Sequence, residues 1–83
     1  MQDLLKQIKA QSEMCTTTEG DEFECISINK LKKIFGKEIV VMSDAVADEI
    51  DSETEYLDNE KGEEIECISI ENLEGILKRG GVI

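Results

Sequence analysis

The sequence predicts an α+β fold: an internally duplicated helix-hairpin-helix-strand unit, folded as a mostly antiparallel sheet with helices packed on it. Three observations carry this. First, Gly62 to Leu77 (GEEIECISIENLEGIL) repeats Gly20 to Phe35 (GDEFECISINKLKKIF) with nine of sixteen positions identical, at a period of 42 residues. Second, a strict apolar/polar alternation precedes the shared ISI in both copies, as expected of strands with one dry face. Third, after the ISI the apolar residues recur at helical spacing.

The elements follow in order. Leu4, Leu5 and Ile8 form one face of a helix over Met1 to Gln11; one period later Val46, Ala47 and Ile50 do the same over Asp44 to Asp51, behind a capping Ser43. Each helix leads into a hairpin. In the first copy this is Glu13 to Thr18, turn Glu19-Gly20, and Glu22 to Ile26. In the second it is Thr54 to Asp58, turn Asn59 to Gly62, and Glu64 to Ile68. Phe23 and Cys25, with Ile65 and Cys67, belong to the dry faces; Glu22 and Glu24, with Glu64 and Glu66, belong to the wet ones.

Ser27 and Ser69 sit at N-cap positions, where a hydroxyl accepts from a free amide of the first turn, with Ile26 and Leu31 or Ile68 and Leu73 placed as hydrophobic staples. Ile28, Leu31, Ile34 and Phe35 make the buried stripe of one helix, and Ile70, Leu73, Ile76 and Leu77 that of the other. Gly36 and Gly80 are expected as stops, and Gly75, inside the second helix, as a point of close backbone approach. Ile39 to Met42 reads as a short strand, with Val82 and Ile83 as its counterpart. Halves of about 40 residues are too small to bury enough surface alone, so residues 1–83 form a single domain of two repeats, 1–42 and 43–83, with one core.

Charge narrows the function. Formal net charge is −11, with twenty acids, nine bases and no histidine. Residues 1–42 hold seven acids against six lysines, whereas residues 43–83 hold thirteen acids against Lys61, Lys78 and Arg79. Such a field repels phosphate, which disfavours direct nucleic-acid and membrane binding and favours a basic protein partner. No apolar run approaches the roughly 20 residues of a membrane span, and the N-terminus lacks a signal-peptide core, so the expected location is cytoplasmic.

Chemistry-bearing motifs are scarce. Three cysteines without a CxxC, and without histidine, argue against a disulfide framework and a zinc site; Cys15, Cys25 and Cys67 read as small buried hydrophobes. An EF-hand loop started at Asp51 fails, because Tyr56 occupies the glycine position and Gly62 the glutamate position. No phosphate-binding glycine loop or serine-histidine pair is present, so an enzyme is not expected, nor a cofactor.

What remains is the carboxylate-rich stretch from Asp44 to Glu66, with eleven acids and one base. Asp48, Glu49, Asp51, Glu53, Glu55, Asp58, Glu60, Glu63, Glu64 and Glu66 are the expected partner-binding residues, with Glu53, Glu55, Glu64 and Glu66 pointing one way along their strands. Successive outward residues lie about 6.6 Å apart, similar to phosphates along one nucleic-acid strand. The expected function is a non-enzymatic inhibitor of a basic nucleic-acid-handling protein, by nucleic-acid mimicry of the anti-CRISPR or anti-restriction type, acting as a monomer or weak homodimer. The alternatives are an antitoxin- or immunity-like inhibitor, an adaptor that binds a basic enzyme without inhibiting it, and an assembly protein whose acidic face only solubilises it.

Overall fold

The computed structural model describes residues 2–38 and 43–82. Helix α1 (Gln2–Ala10) leads into strands β1 (Glu13–Thr16) and β2 (Glu22–Ser27) and helix α2 (Ile28–Glu38). Helix α3 (Asp44–Glu53) then leads into β3 (Glu55–Asn59), β4 (Glu64–Ser69) and α4 (Ile70–Arg79). The order helix, strand, strand, helix thus occurs twice, and the expected α+β class with an antiparallel sheet is what the chain adopts. The expected strand at Ile39 to Met42 lies outside the described residues, as does Ile83. Val82 is not in a strand: it is buried against the helices, with its N–H donated to the Leu77 carbonyl at 2.9 Å.

The four strands run in the order β1-β2-β4-β3 and close into a small barrel, every neighbouring pair antiparallel. Register relates residues 42 apart in sequence. On the β2–β4 side Ile26 faces Ile68, flanked by Cys25 opposite Ser69 and Ser27 opposite Cys67. On the β1–β3 side Thr16 faces Asp58. Two like units related by a twofold axis would pair in this way.

Two separate apolar clusters follow from the pleat. Inside the barrel Cys15, Cys25, Leu57 and Cys67 are buried, with Phe23 and Ile65 packed at their edge. Outside it, Ile26 and Ile68 are fully buried under the helices, joining Leu4, Ile8, Leu31, Val46, Ile50, Leu73, Ile76 and Leu77 in the main core. The strands are therefore dry on both faces near the helices and wet outside only toward the hairpin tips.

Local chemistry sets the element ends. Ser27, Ser43 and Ser69 each accept from the backbone N–H three residues on, at 3.2, 3.3 and 3.2 Å, which satisfies one orphan donor of α2, α3 and α4. At the hairpin tips Asn59 Oδ1 accepts from the N–H groups of Lys61 and Glu63, and Gly62 takes the positive φ of 78° that the turn requires. In the first hairpin Thr17 Oγ1 accepts from Asp21 N in the same manner. The first turn is longer than expected, so β1 ends at Thr16 rather than Thr18, whereas β3 is shifted by one residue, running from Glu55 to Asn59 rather than from Thr54 to Asp58.

Gly80 stops α4 as expected, being its C-cap, but the expectations for Gly36 and Gly75 need correction. Gly36 lies within α2, which continues to Glu38. Helix α4 ends in a Schellman motif: Gly81 N–H reaches the Lys78 carbonyl and Val82 N–H the Leu77 carbonyl, with Gly81 rather than Gly80 in the left-handed region at φ 73°. Leu77 and Val82, the residues that such a motif brings together, are both buried. A Cβ on Gly75 would meet only the end of the Arg79 side chain, whereas one on Gly80 would collide with the side chain of Val46. The close approach is thus between Gly80 and α3.

Two stability outcomes follow. Ser69→Ala should cost about 1 kcal/mol in urea unfolding, with Ser27→Ala similar. Gly80→Ala should cost more, about 1 to 3 kcal/mol, because the new methyl overpacks against Val46. Combining it with Val46→Ala should restore part of that loss.

Candidate functional site

The outward face of the barrel is built by register. Thr16 pairs with Glu22 on one side and with Asp58 on the other, and Asp58 pairs with Glu64, so Glu22, Thr16, Asp58 and Glu64 form one row across all four strands. On one side of that row Met14 pairs with Glu24, and on the other side Tyr56 pairs with Glu66, because β1 and β3 run antiparallel. Directly opposed side chains are about 5 Å apart at Cβ. Glu22, Glu24, Asp58, Glu64 and Glu66 are all exposed, and the four strands contain no lysine or arginine.

Among the described residues, Met14 and Tyr56 are the large hydrophobics left exposed, at 38% and 65%. They are 42 residues apart and occupy matching places on this face. The Tyr56 hydroxyl donates to Glu66 Oε2 at 3.3 Å, which orients the ring beside the carboxylate. The face therefore combines five carboxylates with two amphipathic or apolar contact points.

Each of the ten expected partner-binding acids is exposed, but they do not form one surface. Asp58, Glu64 and Glu66 lie on the outward barrel face. Glu60 and Glu63 occupy the turn at its tip; Glu60 shares a surface depression with Met14, Thr16 and Glu22. Asp48, Glu49, Asp51 and Glu53 belong to α3. Glu49 is engaged by Arg79 Nη2 at 3.0 Å, and Glu53 accepts from the Asn72 side-chain amide at 3.3 Å.

Two placements differ from the strand alternation expected. Glu53 closes a helix and has no strand parity. Glu55 opposes Cys67 and so has the parity of the barrel interior; lying at the strand end, it emerges in a groove with Lys9, Phe23, Glu24, Ile70, Glu71 and Glu74. Lys78, and less strongly Lys9, hold the carboxyl of Glu74, which lines that groove, below its usual range through ion pairs of 3.1 and 3.5 Å. Glu22 and Glu24 are the members of the face that sequence reasoning missed. Their alternation marked them as wet, but only the β1–β3 pairing brings them alongside the acids of the second half.

The three cysteines are buried as expected, but the expectation of no disulfide is overturned. Cys15 and Cys25 are joined by a disulfide, with Cα atoms 6.4 Å apart, and Cys67 is a buried free thiol. The reason is geometric: Cys15 and Cys25 both face the barrel interior from adjacent strands, a relation that an odd cysteine count cannot reveal. Burial, then the negative charges of Glu55 and Glu13, push the Cys67 thiol up to about 11, against a smaller opposing hydrogen bond from the Leu57 backbone. A thiol so protonated and enclosed is not placed to turn over a substrate as a catalytic nucleophile.

Among the described residues, no helix is long and apolar enough to cross a membrane. Comparison with known protein families, curated proteins and solved structures finds no match to the chain.

The Cys67 environment has a pH signature. Its pKa is raised on folding, so between about pH 9 and 11 the unfolded chain releases a proton that the folded chain retains, and stability falls as pH rises through that window. Denaturant titrations from pH 8 to 11 should show this decline, and Cys67→Ala should flatten it relative to the parent.

Proposed function

We propose that this chain is a non-enzymatic acidic protein that binds and inhibits a basic nucleic-acid-handling protein in the cytoplasm, its carboxylates taking the place of phosphates, as in anti-CRISPR or anti-restriction inhibitors. The observation that carries the reading is the outward barrel face: Glu22, Glu24, Asp58, Glu64 and Glu66 exposed together on strands that hold no base. Regular spacing of about 5 Å across strands and 7 Å along them places these charges on points of one grid, with Thr16, Met14 and Tyr56 on points between them, and a lysine- and arginine-lined channel is complementary to it. Long-range attraction speeds encounter, and the individual pairs set register.

Exposed Tyr56 and Met14 give the face what charge alone lacks. Salt-screened pairs at a surface contribute little, whereas an amphipathic aromatic is a frequent anchor at protein interfaces. A standard interface removes about 800 Å² from each partner, roughly a seventh of the 5487 Å² surface here. The chain acts as a monomer or weak homodimer, its strands being paired over part of their length within the barrel.

The test uses the quadruple variant E22Q/E24Q/E64Q/E66Q, which removes four charges and keeps side-chain shape. The parent, immobilised at low salt, should retain a basic protein that elutes as salt rises and that loses its nucleic-acid binding when the parent is added back. The variant should fold normally by circular dichroism and retain at least tenfold less of that protein. Equal retention by the variant, or undiminished nucleic-acid binding by the eluted protein, would refute the reading.

A further inference from the structure

The barrel interior holds a cluster that the acidic face does not use. The Sγ atoms of Cys15, Cys25 and Cys67 all lie within 4.8 Å of one another, and all three residues are fully buried. They come from three different strands, β1, β2 and β4. The fourth wall contributes Leu57, the residue 42 positions after Cys15, so the interior layer is three sulfurs and one isobutyl group.

We infer that, once the Cys15–Cys25 disulfide is reduced, these three thiols form a binding site for one trivalent thiophilic centre, arsenite or antimonite, held by three sulfurs. Sulfurs bonded to one centre at about 2.3 Å, with angles of about 90 to 120°, sit about 3.3 to 4.0 Å apart. The three sulfurs lie within 4.8 Å of one another, the Cys15–Cys25 pair drawn closer by its disulfide, so reduction has only to let that pair part to reach this spacing.

Charge selects among thiophilic ligands. Three thiolates around Cu(I) carry two negative charges and around Zn(II) one, and either would be buried in an apolar enclosure beside Glu13 and Glu55. A structural zinc also needs a fourth donor, and Leu57 offers none. Arsenite avoids both costs. Uncharged As(OH)₃ condenses with three protonated thiols: three S–H and three As–O bonds break, three As–S bonds form, and three waters leave. Arsenic stays trivalent, the product is neutral, and no free thiolate accumulates. The site opens only under reduction, in which a dithiol reductant passes two electrons and two protons to the Cys15–Cys25 bond and is itself oxidised to a disulfide. In the oxidised protein only Cys67 remains as a donor.

The experiment compares oxidised and phosphine-reduced protein incubated anaerobically with sodium arsenite, read by native mass spectrometry and near-ultraviolet absorbance. The reduced protein should gain one arsenic and lose three hydrogens, with a sulfur-to-arsenic absorption band, while keeping its circular dichroism. The oxidised protein should gain none. Cys15→Ala, Cys25→Ala and Cys67→Ala should each lose the three-sulfur adduct and its band. Leu57→Cys, which supplies a fourth sulfur, should shift preference toward zinc. The inference is overturned if the reduced protein takes up no arsenic, if Cys67→Ala gives the same adduct, or if the reduced parent retains zinc against arsenite. It is likewise overturned if reduction unfolds the protein and arsenite does not restore the fold.

Discussion

The pairing of β2 with β4 is the constraint on which the rest of the molecule depends. Ile26 and Ile68 face each other at its centre, fully buried, at the point where each hairpin turns into its second helix. Each half alone would offer a hairpin and two short helices, too little surface to fold unaided. Once the two strands join, the helices have a shared floor, and Ser27 and Ser69, the last strand residues, cap α2 and α4 directly above it. The second contact, between β1 and β3, then closes the barrel and dries the cysteine layer. Interior and helical core are thus opposite faces of the same strands.

Much of this was legible from local pattern. Period-two alternation through Glu22 to Cys25 and Glu64 to Cys67 identified the strand faces, and the serine positions identified the helix starts, because both depend on residues near in sequence. What was not legible depends on partners far along the chain. Closure through Thr16 and Asp58 has no local signature, so neither the joining of Glu22 to Glu64 across four strands nor the convergence of three cysteines could be foreseen. The glycine errors have a different origin. Helix α2 runs through Gly36 at a modest propensity cost, and at the end of α4 two adjacent glycines serve different purposes: Gly80 makes room for Val46, and Gly81 takes the left-handed turn.

The charge asymmetry between halves is also recast by the structure. The two hairpins are similarly acidic, each with exposed glutamates at matching positions on the outward face. The imbalance resides in the helices: α1 and α2 carry six lysines against two acids, whereas α3 carries five acids and no base. The near-neutral total of the first half therefore conceals a negative hairpin beneath basic helices. Any field that a partner meets at the barrel is a property of both halves, which is why the acids of the second half alone describe it incompletely.

A sheet with only short free rims also restricts how another macromolecule can be read. Each strand already has a neighbour on either side for part of its length, so an incoming peptide finds rows of at most two or three residues to extend. Discrimination is left to side-chain chemistry on a rigid wall, and the same closure denies sister molecules a template for fibrillar stacking when acid neutralises the carboxylates that otherwise keep them apart.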